Sequence, residues 1–542
     1  MAAALSPFNR ALAKIPRRAE HRDTPALRET FVDSGVAEVL DMVDHQVLYG
    51  RRGTGKTHAF AYLAAQARAR GDVALNVDLR TVGSPSGVLD TGALTLADRA
   101  TRLLVDLLGQ LRDGLLEAVL DHENLIEDGA FIDKLDGLLV AITNIEVSGE
   151  VVVSAQAEQR GSQHRGGSLR AIAGPQPGVE AAFTSGSEHE GRSLLRETRR
   201  GTERISLNFS DVARALRELA QTLSSRRIWL ILDEWSSVPL DAQPYLAEFL
   251  VRCVLPLQRF TVKVAAIEQQ SSFRAALPGG TMIGFELGAD LGAHLDLDEF
   301  LGFEQDKEHA RDFFTRLFFN HLTSGAENAP GLGDLTDPTD VIRIGFTDRP
   351  AFDELIRAAE GVPRDAIYIA SKAALRAGAR KISTPLIRAA ARSWYLSDKA
   401  AALRANAGAQ ELLTWIVEKV IRERRARGFL VDEHDAADPL LLALFDARVL
   451  HIIRRGVSAQ DRPGDRFDVW VIDYGAYVDL LQTRHAPRSL LPLADGDAPE
   501  EPQAQAADMD VPVHDLRVIR RAILDLREFH ATLRNGAVHD PT

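Results

Sequence analysis

At 542 residues, with 45% hydrophobic and 26% charged side chains, the chain is too long for one core and has the composition of a globular protein of several domains. A net charge of −13 excludes non-specific binding of nucleic acid by the chain as a whole, because counterion release requires clustered Lys and Arg. The single cysteine, Cys253 in an apolar helical stretch, excludes a disulfide framework and points to a reducing, cytoplasmic compartment; no signal-peptide pattern and no long apolar run suggests a membrane segment.

Residues 1–30 read as a basic, turn-rich extension, followed by a helical pattern over Val36–Val43. A short apolar strand in the stretch from His45 then meets Gly50-Arg51-Arg52-Gly53-Thr54-Gly55-Lys56-Thr57. The segment fits Gly-x-x-x-x-Gly-Lys-Ser/Thr, in which glycines let backbone N–H groups turn inward around a phosphate chain. Lys56 neutralises the terminal phosphate oxygens, Thr57 offers its hydroxyl to Mg²⁺, and the helix opening at Thr57-His58 adds its positive end. ATP with Mg²⁺ is the expected ligand.

Asp72–Arg80 alternates as a strand, and Leu94 to Leu116 recur at helical spacing. Strands alternating with helices imply an α/β fold with a mainly parallel sheet covered on both faces. From about 146 to 203 large apolar residues become scarce, which predicts a flexible insertion inside this fold, with a strand or hairpin over Ile145–Val153 at its start. Ser210 or Asp211 is expected to cap the next helix.

Arg227–Ser236 carries the second motif: apolar Ile228–Leu232 followed by Asp233 and Glu234. Such a run is a buried parallel strand that delivers charge to the sheet edge where ligands bind. Asp233 is the candidate Mg²⁺ ligand, and Glu234 the group that polarises the attacking water. The strand Phe260–Ile267 ends in Glu268 and Gln269, candidates for sensing the γ-phosphate.

Residues 296–405 look helical, and Gly361-Val362-Pro363-Arg364 places an arginine in the first turn of a helix. Residues 406–485 combine two helices with strands at Phe429–Val431, Val449–Ile453 and Arg466–Ile472, similar to a winged-helix domain with a wing over Gly456–Gly464. Arg454, Arg455, Arg462 and Arg466 sit at that wing, while the second helix has almost no basic residue; either the wing contacts DNA phosphates or the domain serves protein contacts or nucleotide-coupled regulation, and base reading by the helix is not expected. An acidic linker over 486–512 precedes a helix over 513–542 with an apolar stripe, Leu516 to Leu533, able to dock on its own domain or on a protein partner.

In this order the features resemble the AAA+ ATPases, in the branch related to replication initiators of the origin-recognition type. The resemblance implies a P-loop ATPase core over 31–295, a helical lid over 296–405 and a winged-helix-like domain. It also implies ATP hydrolysis with Glu234 as catalytic base, Arg364 as second sensor, and a homo-oligomer in which Arg274 is a weak candidate for an arginine finger. The long separation of the two motifs and the absence of the usual Asn or Thr at Glu268-Gln269 depart from the pattern. A signalling or scaffold NTPase, for example in defence or a mobile element, that binds partners at the insertion or last helix with little turnover is the alternative.

Overall fold

Four apolar or half-apolar residues, Gln46–Tyr49, form β1 and are buried throughout. The computed structural model describes residues 5–16, 24–83, 95–120, 129–142, 145–148, 151–154, 196–199, 202–205, 207–223, 226–277, 279–292, 295–298, 306–324, 331–458, 464–488, 490–491 and 516–536. The body of the expected insertion, Arg462 and residues 492–512 of the expected acidic linker lie outside them.

In chain order the further strands are β2 (Val73–Asp78), β3 (Ile145–Ser148), β4 (Val151–Ser154), β5 (Arg196–Arg199), β6 (Thr202–Ile205), β7 (Ile228–Asp233), β8 (Phe260–Ala266), β9 (Arg274–Ala276), β10 (Met282–Gly284), β11 (Leu295–Asp296), β12 (Gly428–Asp432), β13 (Leu450–Ser458) and β14 (Arg466–Ile472). The principal sheet has the order β11-β1-β8-β7-β2, and its pairs β1·β11 and β2·β7 are parallel. With helices Lys56–Ala69, Leu96–Leu120, Phe209–Thr222 and Gln243–Cys253 between its strands, this is an α/β arrangement. Among the described residues no helix is long and apolar enough to cross a membrane.

The residues divide into two compact units, with the boundary inside β8: Met1–Ala69, Val264–Gln270 and Ala293–Thr542 in one, Arg70–Lys263 and Ser271–Gly292 in the other.

In the second unit, β2 and β7 run side by side from Val73 opposite Ile228 to Asp78 opposite Asp233. The run Ile228–Leu232 is buried, as a strand covered on both faces requires. Two sequence expectations change here. The helix Phe209–Thr222 is capped by Asn208, whose side chain accepts from the N–H groups of Ser210 and Asp211, because only Asn208 has the extended backbone an N-cap needs. Ile145–Val153 does not fold on itself: β3 pairs antiparallel with β6 and β4 with β5, so the two legs are closed by the returning chain. A short antiparallel hairpin, β9 with β10, is also present, and Arg274 on it pairs with Glu286 at 3.0 Å. Cys253 is buried, with its thiol 3.4 Å from the Phe209 carbonyl oxygen, and burial pushes its pKa up to about 12.

In the first unit, helices Lys307–Thr323, Arg349–Ala359, Pro363–Ala377 and Thr384–Trp394 pack around Phe314, Phe318, Phe352, Leu355 and Ile369. The N-terminal helix Pro7–Lys14 is fixed to this bundle: the Asn9 amide donates to the carbonyls of Gly378 at 2.8 Å and Arg380 at 2.9 Å. Gly345 is required beneath it, since a Cβ there would lie 2.1 Å from Phe8. The same core continues into the antiparallel sheet β12-β14-β13 and the helices Ala407–Ile416 and Pro439–Asp446.

The expected single C-terminal helix is two, Leu516–Ala522 and Leu526–Gly536. The break has a cause in Asp525, whose carboxylate accepts from the Arg527 N–H at 2.9 Å and starts the second helix. Both pieces are docked on their own unit. Ile519 and Ala522 join Leu430, Phe467 and Val469, Phe529 lies 5.5 Å from Trp415, and His530 bonds Asp438 at 2.8 Å.

Candidate nucleotide-binding site

After β1 the chain turns on three glycines with positive φ: Gly50 at 156°, Gly53 at 94° and Gly55 at 108°. Side chains rarely adopt the last two values, and a Cβ on Gly53 would lie 2.8 Å from the Arg364 guanidinium. Gly55 has no atom within 4 Å of where a Cβ would lie. Lys56 opens the following helix, and its ammonium donates to the carbonyl oxygens of Gly50 at 2.6 Å and Arg51 at 3.1 Å. Thr54 closes the loop by donating to the Arg51 carbonyl at 2.9 Å. Thr57 is half-buried in the first helical turn, and the ring of His58 bonds the Leu27 carbonyl at 2.6 Å while meeting Phe31 edge-on. Phe31 also stacks on Tyr62 at 4.1 Å.

Two arginines anchor this loop. Arg51 is buried, its backbone N–H and its Nε each donating to the Asp298 carboxylate at 2.8 Å and its Nη2 to the Glu360 carbonyl at 2.8 Å. Beneath it the chain reverses at Glu360 and Gly361, with φ of 50° and 76°, before Pro363 starts the next helix. That reversal brings the Arg364 N–H to the Gly53 carbonyl at 3.3 Å and its guanidinium to the Arg52 carbonyl at 3.2 Å. The expected lid arginine and the expected phosphate loop are therefore direct neighbours. Glu360 also pairs with Arg427 at 3.3 Å, tying the reversal to the start of β12.

The end of β8 is engaged too. Glu268–Gln270 form one 3₁₀ turn. Glu268 pairs with Arg455 at 3.0 Å, the Gln269 amide oxygen accepts from the same guanidinium at 3.1 Å, and Gln270 bonds Asp446. A cavity of about 30 Å³, enough for one or two waters, lies between Tyr49, Arg51, Glu268, Phe445 and Arg455.

Behind Arg364 lies a buried charge cluster. The Lys399 ammonium is 2.8 Å from Asp365 and 2.5 Å from Asp473, and Asp473 also bonds His451 at 3.1 Å. Arg448 pairs with Asp365 at 3.4 Å and with Asp398. Burial alone raises a carboxylate, but Lys399 more than offsets it and holds Asp365 low and Asp473 at about 2. Burial, reinforced by the Arg51 charge, pushes the His451 imidazole down to about 4 despite its bond to Asp473.

In the second unit, Asp233 ends β7 and accepts from the Glu234 N–H at 2.8 Å. Glu234 stands at φ 58°, ψ 42°, a left-handed backbone that costs a non-glycine residue roughly 1–2 kcal/mol. The following Trp235 holds it there: it is fully buried, its indole donates to Gln243 at 3.0 Å, and it packs against Phe273 and Phe285. Asp78, opposite Asp233, is clamped by Arg80 at 2.7 Å, and Arg80 also reaches Glu234 at 4.0 Å. Burial raises Asp78, but the hydrogen bonds from Arg80 outweigh it and hold the carboxyl below its ordinary value.

Among the described residues no three His, Cys, Asp or Glu side chains gather to hold a metal. A Mg²⁺ ion favours a few carboxylate or hydroxyl ligands together with phosphate and water and needs no such cage; Thr57 offers a hydroxyl in the first unit and Asp233 a carboxylate in the second.

Sequence reasoning missed Arg80, Asp298, Glu360, Asp446 and the role of Arg455. Asp298, Glu360, Asp446 and Arg455 are ordinary charged residues far along the chain from their partners, whereas Arg80 sits two positions from Asp78; only Arg455 carried a signal, as one of the clustered wing arginines.

No protein-family model and no curated protein matches the chain. Solved structures similar to it include a Walker-type ATPase of Pyrococcus abyssi, at 12% identity over 87% of this chain and 100% of that one, with a TM-score of 0.37. Cdc6p from Pyrobaculum aerophilum is similar at 10% identity over 87% of this chain and 97% of that one, with a TM-score of 0.29.

Proposed function

We propose that the chain is an AAA+-type ATPase that binds Mg²⁺–ATP on the Gly50–Thr57 loop and hydrolyses it. The observation that carries this reading is the loop itself: glycines at Gly53 and Gly55 with backbones few other residues adopt, Lys56 at the helix start, and Arg364 against the loop carbonyls. In this reading the loop N–H groups and Lys56 bind the phosphates, and Arg364 compensates γ-phosphate charge and links its presence to the helical lid. Thr57 and Asp233 would hold Mg²⁺, which supplies neutralisation of phosphate charge. Glu234 takes a proton from the attacking water, and Glu268 or Gln269 orients it.

The test is ATP turnover by the full chain and by Lys56→Ala and Glu234→Gln, alongside binding of a fluorescent ATP analogue. Lys56→Ala is expected to lose binding, and Glu234→Gln to keep binding and lose turnover. Binding unaffected by Lys56→Ala would overturn the reading.

A second reading, a nucleotide-controlled assembly switch with little turnover, is favoured by the engagement of Glu268 and Gln269 by Arg455. It predicts a nucleotide-dependent change in mass by light scattering, and an unchanged monomer opposes it. A winged-helix role on DNA is a weaker proposal. Helix Pro439–Asp446 has no basic residue, and Arg455 and Arg466 are engaged by Glu268 and the Gly456 carbonyl. Salt-sensitive duplex binding lost on Arg454→Glu would support it.

A further inference from the structure

The turn Glu268–Gln270 at the end of β8 is held at each of its three side chains by two residues of the C-terminal sheet domain. Arg455 contacts two of them, Glu268 at 3.0 Å and the Gln269 amide oxygen at 3.1 Å, while Asp446 bonds Gln270. The planar fork of an arginine can donate to a carboxylate and an amide oxygen at once, which a lysine point charge does with far less geometric control.

The strand that carries Arg455 is built irregularly at that place. Pairing of β13 with β14 slips between Ile452 and Arg454 and again between Arg454 and Val457, so Arg455 itself has no partner in the ladder register. Such bulges re-aim a side chain out of the regular alternation. Gly456, at φ 60°, follows directly, and its N–H donates to Asp468 at 3.2 Å, pinning the bulge.

We propose that Arg455 is a positioning residue that restrains ATP turnover: by holding Glu268 and Gln269 it withholds the polar end of β8 from the attacking water. The inference rests on the ATPase reading above and names the residue through which the C-terminal domain regulates that site. A carboxylate paired with a guanidinium and an amide oxygen already accepting a hydrogen bond are both committed. Nucleotide turnover therefore requires Arg455 to let go. The pair is partly exposed, with 39% and 40% of the two side chains accessible, so salt and competing anions can release it.

The experiment compares steady-state ATP turnover and affinity for a fluorescent ATP analogue in the full chain, Arg455→Ala and Arg455→Lys, at low and at high NaCl. Arg455→Ala is expected to raise kcat about two- to five-fold, the scale of a partly exposed ion pair, with affinity unchanged within about two-fold. Arg455→Lys should fall between, and rising salt should stimulate the wild type more than Arg455→Ala. A loosened fold lowers kcat, so an increase cannot come from misfolding. Turnover that is unchanged, lowered or undetectable in Arg455→Ala while analogue binding persists overturns the proposal. Absence of analogue binding, or binding indifferent to Lys56→Ala, instead overturns the underlying ATPase reading.

Discussion

The main-chain nitrogen of Arg364 donates to the carbonyl oxygen of Gly53 at 3.3 Å, which fixes the start of the helix Pro363–Ala377 to the middle of the Gly50–Thr57 loop. The contact is tight enough that Gly53 has no room for a side chain, because a Cβ would fall 2.8 Å from the Arg364 Nε. Arg364→Ala is expected to lower ATP turnover about 10- to 100-fold, the scale of a lost charge-assisted contact in a dry site. Gly53→Ala should weaken nucleotide binding by a similar factor through strain at its positive φ. Titration with a fluorescent ATP analogue and a turnover assay read both.

Glu234 holds a left-handed backbone at φ 58° that a glycine would adopt without strain. Glu234→Gly is therefore expected to stabilise the fold by up to about 1 kcal/mol while abolishing turnover. Chemical denaturation gives the first quantity and phosphate release the second. A variant that is both less stable and inactive would argue that Glu234 serves packing.

Lys399 neutralises two buried carboxylates, Asp365 beside Arg364 and Asp473 after β14. Lys399→Met leaves both charges buried without their cation and is expected to cost about 3–5 kcal/mol in denaturant unfolding. A loss below about 1 kcal/mol would mean that Arg448 and solvent can take over.

The pH dependence follows from His451, whose pKa lies near 4 in the fold against an ordinary value of 6.5. Between those limits the unfolded chain binds a proton that the fold refuses, so stability falls as pH drops, by at most about 3 kcal/mol. The imidazole is faced by Asp473, Arg51 and Lys399, and the fall continues below pH 4 as Asp473, held at about 2, begins to protonate. His451→Gln should flatten the stability curve between pH 6.5 and 4; an unchanged slope would place the acid sensitivity elsewhere.

What is legible in the sequence is what local pattern encodes. Buried parallel strands appear as apolar runs, so β1, β7 and β8 and the loop and acids that follow them can be placed from the order of residues alone. The two-residue β11 has no such signature, and the break at Asp525 is hidden inside a stripe whose helical spacing continues across it. Pairs such as Arg51 with Asp298 and Arg455 with Glu268 are invisible for a different reason. Charges distant in sequence look like solvated surface until the fold brings them together, and an arginine cluster at a wing suggests DNA when Arg455 in fact faces the end of β8.

The most direct measurement is binding and turnover of Mg²⁺–ATP by the full chain beside Lys56→Ala. Saturable binding, with slow phosphate release that Lys56→Ala abolishes, is the expected result. Binding and release that are indifferent to the loss of Lys56, or the absence of any nucleotide binding, would contradict the proposed function at its base.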